Sequence, residues 1–105
     1  MQQIELATGD GPVDAYLAHT FADRFFGTTR LPSGSVLVLR ARSVHSFGMR
    51  DPIEIVGLDA GMKVVAIRTL RPNRIALIAS ARLIMELPGG SSLPAVDDLV
   101  SINHG

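Results

Sequence analysis

Short apolar segments separated by turn residues run along the whole chain, and this rhythm limits the folds that it can adopt. The turns recur about every eight to twelve residues, a spacing that is typical of all-β domains. We therefore predict about nine short strands in a compact barrel-like or sandwich domain. The segment Val36–Leu39 is apolar on both faces, so we expect it near the centre of a sheet.

Two local signals refine this all-β prediction. Thr20 can cap a helix, three phenylalanines follow at helical spacing, and Gly27 can end the helix, so we predict one short helix near residues 20–27. Further along, Asp59-Ala60-Gly61 indicates a hairpin loop between two strands. We expect Gly61 to take the left-handed backbone conformation in that loop, because glycine lacks a Cβ.

The length and composition of the chain exclude several classes of protein. A chain of 105 residues fits a single domain, residues 1–105. Cysteine is absent, which excludes disulfides and thiolate chemistry. No apolar run approaches the roughly 20 residues of a membrane-spanning helix, so we expect no membrane span. The first residues lack the basic and apolar regions of a signal peptide, so we predict a cytoplasmic protein.

Charge is balanced over the whole chain but unevenly distributed along it. The formal net charge of zero argues against binding of nucleic acid, so no nucleic-acid partner is expected. Between residues 40 and 82, however, seven arginines and Lys63 are accompanied by only three carboxylates. We interpret this excess as a solvated, arginine-rich face of a sheet, and the alternative is a patch for an anionic ligand or partner.

Polar residues that could carry chemistry are concentrated in the stretch Ser43–Asp59. It contains the only histidine in the middle of the chain and an Arg-Asp-Pro corner that is rigid, because Pro52 restricts its own backbone and that of the residue before it. We therefore predict a ligand-binding site that this stretch forms together with a carboxylate from a later strand. Its candidate residues are His45, Arg50, Asp51, Glu54 and Glu86.

His45 is also a candidate for a catalytic base. On a strand, His45, Phe47 and Met49 share one face, so we expect a packed histidine among core side chains. Phe47→Ala should then cost roughly 3–5 kcal/mol. His19 and His104 do not fall at the spacing of metal ligands, so no metal site is expected. No glycine-rich phosphate loop is present either, and no cofactor is expected.

Glu54 and Glu86 each interrupt an apolar strand. A carboxylate at a half-buried strand position needs a partner, and arginine is the partner that we expect. The two glutamates are therefore interpreted as members of structural ion pairs. The alternative is that they form the polar floor of a pocket for a small anion or a peptide terminus.

Several motifs resemble a known family. The run Ser43–Arg50, the strand Pro52–Asp59 and the later segment Leu83–Gly89 (Leu-Ile-Met-Glu-Leu-Pro-Gly) resemble, in the same order, the signature of the family called domain of unknown function 192. The resemblance covers about residues 14–102. A histidine and a glycine within the first run make it similar to versions from actinobacteria.

This resemblance implies a compact, mainly β fold with a short helix, and it implies no established activity. It also implies that many relatives are exported. The sequence departs from the family pattern at two places that bear on a site. Glu54 stands where the family usually has aspartate, and Asp97-Asp98 replaces a glycine-aspartate turn.

Three hypotheses for function follow. The first is a non-catalytic accessory module that binds an unknown small ligand or protein, because the candidate residues form no coherent nucleophile–base or metal arrangement. The alternative is a small hydrolase-like enzyme with His45 as base, oriented by Glu54 or Asp51. The third is a scaffold subunit that pairs through an exposed strand edge. The sequence predicts no particular oligomeric state.

Overall fold

The protein is known from a computed structural model, which describes residues 2–8, 11–18 and 36–103. Within these ranges the secondary structure is strand, so the all-β prediction is confirmed; the predicted helix near residues 20–27 lies outside them. The strands are β1 (Gln2–Thr8), β2 (Gly11–Ala18), β3 (Val36–Leu39), β4 (Ser43–His45), β5 (Ile53–Leu58), β6 (Val64–Leu70), β7 (Ile75–Leu77), β8 (Leu83–Pro88) and β9 (Ser101–Asn103).

Seven of these strands form one sheet in the order β6-β5-β8-β3-β2-β1-β9. β3 is the central strand, as its apolar faces predict, and it pairs with β2 in parallel while the other neighbours are antiparallel. The edge strands β6 and β9 do not pair with each other, so the described sheet is not closed into a barrel. The first residue of β6 is nevertheless bonded to the loop before β9, since Val64 N donates to Asp98 O at 2.9 Å.

The other two strands, β4 and β7, form a separate antiparallel sheet that we call the β4–β7 ribbon. Its register pairs Val44 with Ala76 and His45 with Ile75. The sequence predicts a longer strand, from Val44 to Met49, but the structure ends β4 at His45, where the chain turns. The strand ends there because the backbone of Ser46 is used to close a turn, as described below.

The seven-stranded sheet is apolar on both faces, and each face carries one core cluster. The first cluster contains Ile4, Leu6, Ala15, Leu17, Val36, Val38, Val56, Leu58, Val64, Met85, Leu87 and Val100. The second contains Leu37, Leu39, Val44, Ile55, Leu70, Ala76, Ile78, Ala81 and Ile84. Because alternate residues of a strand point to opposite faces, neighbours such as Leu37 and Val38 divide between the two clusters. Val44 and Ala76 belong to the second cluster, so the ribbon covers that face of the sheet.

Close packing between the ribbon side and the sheet depends on one glycine. A Cβ on Gly57, in β5, would lie 3.1 Å from two side-chain carbons of Ile78. That distance is below ordinary van der Waals contact, so a larger residue would push Ile78 away from the sheet. The absence of a side chain at position 57 therefore lets the segment after β7 lie close to β5.

The hairpin between β5 and β6 differs from its predicted geometry. The left-handed residue is Met62, with φ of 64°, and Gly61 does not take that conformation. The loop is organised by Asp59, whose Oδ1 accepts hydrogen bonds from the backbone N–H of Gly61 at 2.9 Å and of Lys63 at 3.0 Å. An aspartate side chain that accepts hydrogen bonds from the backbone of its own turn stabilises one loop conformation. In this conformation the left-handed position falls on Met62 and not on Gly61.

No helix among the described residues is long and apolar enough to cross a membrane. The cytoplasmic location stays a prediction.

Candidate functional site

The register of the sheet separates the two candidate glutamates. Glu86 pairs laterally with Ile55 and with Leu37, and Glu54 pairs with Leu87 and Thr69. Ile55 and Leu37 belong to the second core cluster, whereas Leu87 belongs to the first. Glu86 therefore lies on the face that the ribbon covers, and Glu54 lies on the opposite face. The two carboxylates cannot form one pocket floor.

The partner of Glu54 is a hydroxyl group and not an arginine. Thr69 Oγ1 lies 3.0 Å from both Oε1 and Oε2 of Glu54, and it donates its hydrogen bond to this half-buried carboxylate. Thr69 is directly opposite Glu54 in the neighbouring strand β6, so the contact is an ordinary cross-strand pair. The predicted structural ion pair is wrong for Glu54, since a neutral neighbour at the same register position satisfies its oxygens.

Glu86 is a buried carboxyl group in the middle of an apolar face. It is 6% exposed and lies between Leu37 and Ile55. No hydrogen bond or ion pair joins its side chain to another residue in the described part of the chain, so the predicted arginine partner is absent there. Burial disfavours the charged form and raises the pKa of Glu86 from 4.5 to about 7. Near neutral pH this group is therefore divided between its neutral and ionised forms.

Ser46 organises the turn that follows β4. It is fully buried, and its Oγ donates to the carbonyl of Arg71 and accepts from the backbone N–H of Arg74 at 2.9 Å. Its backbone N–H donates to Arg74 O at 2.9 Å, and its carbonyl accepts from Asn73 N at 3.0 Å. One serine thus joins the turn after β4 to the turn before β7. The turn closes because a small hydroxyl group fits where a larger side chain would not.

Apolar side chains are exposed on the outer face of the ribbon, the face turned away from the sheet. Ile75 is 66% exposed and Leu77 63% exposed, and both alternate with the buried Ala76. Phe47 is 54% exposed, and its ring stacks on that of His45 with centroids 5.0 Å apart and planes at 22°. We refer to His45, Phe47, Ile75 and Leu77 as the ribbon face.

The prediction that Phe47 is a core residue is wrong. His45 and Phe47 do share one side, as strand alternation indicates, but that side is the outer one. Val44 supplies the buried contact of β4 instead. The error has a simple cause: the alternation of a strand shows which residues lie together, and it does not show which of two partly apolar faces is covered.

Arg50 and Asp51 are both exposed and lie at the corner between the ribbon turn and β5. Neither forms an ion pair with another described residue. The corner is tightly held behind them, because an ideal Cβ on Gly89 would lie 2.8 Å from the carbonyl oxygen of Pro52. The rigid Arg-Asp-Pro corner of the sequence therefore lies at the surface, beside the ribbon and against the loop after β8.

The five candidate residues do not form one site. His45 lies in the ribbon and Glu54 on the far side of the seven-stranded sheet, so Glu54 cannot orient His45 as a catalytic base. Glu86 is buried on the sheet face beneath the ribbon layer. Of the carboxylates proposed to assist His45, only Asp51 lies on the ribbon side of the molecule. The structure thus brings His45 together with apolar side chains and separates it from the strand carboxylates.

Metal-ligating side chains do not cluster in the described part of the chain. No group of three or more histidine, aspartate or glutamate side chains there could hold a metal ion. The two other histidines, His19 and His104, lie outside the described residues. A separate open groove of about 510 Å³ lies where the two ends of the sheet approach each other, and no candidate residue lines it. Its lining residues are Gly61, Met62, Leu99, Val100, Ser101 and Ile102.

Sequence reasoning missed Ile75, Leu77 and Ser46. Ile75 and Leu77 lie in a short run in which every residue is apolar, so the run gives no indication of an exposed face. The arginines at both ends of the ribbon were the available signal, because guanidinium groups mark chain segments that stay in contact with water. Ser46 gave no signal, since its partners are backbone groups more than 20 residues away.

Comparison with known proteins finds a partial sequence match and similar folds. No family model matches the chain. A UPF0127 protein from Pyrococcus horikoshii is 43% identical over 49 residues, which are 46% of this chain and 43% of that protein. The match thus spans less than half the length of that curated relative.

Two solved structures share the fold. One is a protein of unknown function from Novosphingobium aromaticivorans, with a TM-score of 0.70, covering 94% of this chain and 83% of the other. The second is a proposed transcription regulator from Sinorhizobium meliloti, with a TM-score of 0.73, covering 96% of this chain and 92% of the other. Both are 16% identical to this chain, so they show the fold alone. Together the similarities support a relationship to an uncharacterised conserved family.

Proposed function

We propose that the protein is a non-catalytic accessory module that binds another protein through the ribbon face. The observation that carries the proposal is the exposure of Phe47, Ile75 and Leu77 side by side on one surface. Single exposed apolar residues are common, but a contiguous group on a flat strand surface is typical of an interaction site. The stacked rings of His45 and Phe47 add the aromatic character that is enriched at protein interfaces.

The ribbon is also held in place before any partner binds. Val44, Ala76 and Ile78 bury its inner face in the second core cluster. At the turn end, the hydrogen bonds of Ser46 join the two connecting loops. A surface that is fixed in advance loses little conformational entropy on binding, which favours affinity.

The dispersal of the polar candidates supports a binding role over the enzyme alternative. General acid–base catalysis needs the acting groups within hydrogen-bond reach of one reacting atom. The carboxylate of Glu54 lies on the opposite face of the sheet from His45, and that of Glu86 is buried in the core. The hydrolase-like alternative would therefore have to rely on His45 and Asp51.

We also propose membership of the family called domain of unknown function 192, in its actinobacteria-like form. The support is the ordered set of motifs in Ser43–Arg50, Pro52–Asp59 and Leu83–Gly89. Their positions in the fold are consistent with a shared structural role, because the first forms β4 and the Ser46 turn, and the other two form the adjacent strands β5 and β8.

The binding role can be tested with a library of random short peptides selected on the wild-type protein. Enriched peptides are then measured on the double variant Phe47→Ser/Leu77→Ser and on a matched control, Val96→Ser/Leu99→Ser, which removes exposed apolar groups from another part of the surface. We expect the ribbon variant to bind at least about tenfold more weakly and the control to bind like wild type.

Urea melts of both double variants verify that each remains folded, as expected for exposed positions. The proposal fails if no peptide is enriched. It also fails if the enriched peptides bind the ribbon variant as well as they bind the wild type, or if only the Val96→Ser/Leu99→Ser control loses binding.

A further inference from the structure

Exposed arginines occur in and next to the ribbon in sequence, and they are not neutralised within the described part of the chain. All seven arginines between residues 40 and 82 are exposed, and none forms an ion pair with another described residue. They are Arg40, Arg42, Arg50, Arg68, Arg71, Arg74 and Arg82. The described ion pair in this half of the molecule belongs to Lys63, which lies 4.0 Å from Asp97.

Two of these arginines mark opposite ends of the ribbon. The carbonyl of Arg42 accepts from Ile78 N at 2.7 Å, at the end where β4 begins. The carbonyl of Arg74 accepts from Ser46 N at 2.9 Å, at the end where β4 finishes. These pairing positions are four residues apart, roughly 13 Å along an extended strand. By strand alternation Arg42 and Arg74 share the side of the buried Val44 and not the ribbon face, and their exposed side chains reach water at the two ends of the ribbon.

A third arginine lies along the edge of β7. Arg68 Nη1 donates to the carbonyl of Leu77 at 3.4 Å, which holds the guanidinium group beside the ribbon. The ribbon thus has an exposed arginine at each end and the guanidinium group of Arg68 along one edge. In the ribbon and its two turns, residues 40–51 and 71–82, the one carboxylate is Asp51.

We propose, building on the function proposed above, that the bound segment is an extended acidic peptide. Its apolar side chains contact the ribbon face, and two of its carboxylates, about four residues apart, extend past the ends of the ribbon to meet the exposed Arg42 and Arg74. Arginine binds carboxylates through paired hydrogen bonds, and the complementary charge selects the partner more than it strengthens the contact. The ribbon fits this occupant better than a nucleic acid, because its face carries aliphatic side chains in place of a series of stacking aromatics.

The test uses four synthetic peptides of equal length. The first has two glutamates four residues apart with leucine and phenylalanine between them. The second has lysines in place of the glutamates, the third has the glutamates adjacent, and the fourth has serines in place of the apolar residues. Calorimetry should rank the first peptide at least about tenfold above the lysine peptide and above the other two. Added sodium chloride should weaken its binding.

Variants identify the groups involved. Arg42→Gln and Arg74→Gln should each weaken binding of the first peptide several-fold, while Lys63→Gln, which removes a positive charge elsewhere, should leave it unchanged. The inference fails if the lysine peptide binds as tightly as the glutamate peptide, or if Lys63→Gln has the effect of Arg42→Gln. Vesicles containing phosphatidylserine are a further probe, and tighter binding to these vesicles than to the peptide would overturn the inference in favour of a membrane surface.

The two proposals fail in different ways. If ribbon-dependent peptides are found but tolerate lysine in place of glutamate, the binding function stands and the acidic partner is wrong. If the acidic peptide binds equally well to Phe47→Ser/Leu77→Ser, the ribbon face is not the binding surface and the proposed function is wrong.

Discussion

Leucine side chains occur in both sheets of this molecule, buried in one sheet and exposed in the other. Leu37, in the central strand of the seven-stranded sheet, is buried, whereas Leu77 in the ribbon is mostly exposed. The difference does not come from the strands themselves, since both residues lie in short apolar runs. It arises because the seven-stranded sheet is covered on both faces and the ribbon covers another layer without being covered itself.

This contrast assigns the stability of the fold to one sheet and the binding of a partner to the other. In the seven-stranded sheet an apolar side chain contributes mainly by being removed from water. On the ribbon face the same side chain contributes little to folding and is available to a partner. Equivalent substitutions in the two sheets should therefore change different properties, and the effects can be ordered by size.

The largest expected difference is between Leu37→Ala and Leu77→Ala. Leu37→Ala leaves a cavity in the core and should lower the free energy of unfolding by about 2–5 kcal/mol. Leu77→Ala should lower it by less than about 1 kcal/mol, because the side chain is already in water. Urea denaturation of both variants measures the contrast. Equal losses would mean that the ribbon face is covered in the folded protein.

Glu86 is the reverse of the exposed leucine, because it places a carboxyl group in the core. Its folded pKa of about 7 exceeds the unfolded value of 4.5. The protonated group therefore contributes fully to the free energy of unfolding below pH 4.5, and this contribution is lost as the pH rises to about 7. A difference of this size corresponds to about 3 kcal/mol. We expect Glu86→Gln to remove this decline and to be more stable than wild type at pH 8.

Urea melts across this pH range, with Glu5→Gln as the control for an exposed carboxylate, measure the effect. If wild type and Glu86→Gln lose stability in parallel as pH rises, the carboxyl group is solvated in the folded protein and the contrast between sheet and ribbon weakens.

Ser46 joins the turns at one end of the ribbon, so replacing it should lower the free energy of unfolding by an intermediate amount. Ser46→Ala removes the hydroxyl that bonds Arg71 O and Arg74 N, leaving buried backbone groups without that partner. We expect a loss of about 1–3 kcal/mol in urea melts. Ser43→Ala, at an exposed position of β4, is the matched control. A loss no larger than that of Ser43→Ala would show that the turn closes without the hydroxyl group.

Phe47→Ala should change stability less than Ser46→Ala, although it removes a much larger side chain. Phe47 is more than half exposed, and its described ring contact is the stack on His45. We expect a loss below about 1 kcal/mol, compared with 3–5 kcal/mol for a buried phenylalanine. A measured loss of about 3–5 kcal/mol would show that Phe47 is buried in the folded protein.

Most of the fold could be predicted from the sequence. The apolar runs and turn residues predict the all-β class and the central position of Val36–Leu39 because both depend on local patterns. The site could be predicted only in part. The sequence singles out the segment that contains His45, but the hydrogen-bond partners of Ser46 and the burial of Glu86 depend on strand order and register. Strand order and register are properties of distant pairs, which periodicity does not encode.

The smallest effects are expected at two residues with left-handed backbone conformation, one in the ribbon turn and one near the edge of the seven-stranded sheet. Asn73 in the ribbon turn has φ of 60°, and Asp97, near the edge of the sheet, has φ of 75°. Glycine adopts this conformation without Cβ strain, at the expense of a more flexible unfolded chain. Among the described residues the side chain of Asp97 contacts Lys63 at 4.0 Å, an exposed contact that is worth little, so Asp97→Gly should raise stability by about 0.5 kcal/mol.

Asn73→Gly should give no such gain, because Asn73 Oδ1 also accepts from Gly48 N at 3.4 Å and the substitution removes this bond. Calorimetric melting temperatures of the two variants resolve the difference. A gain from both substitutions would mean that the ribbon turn is held by its backbone bonds to Ser46 alone. A loss from Asp97→Gly would assign the aspartate side chain a role beyond its contact with Lys63, at the position where the resemblance to domain of unknown function 192 implies a glycine.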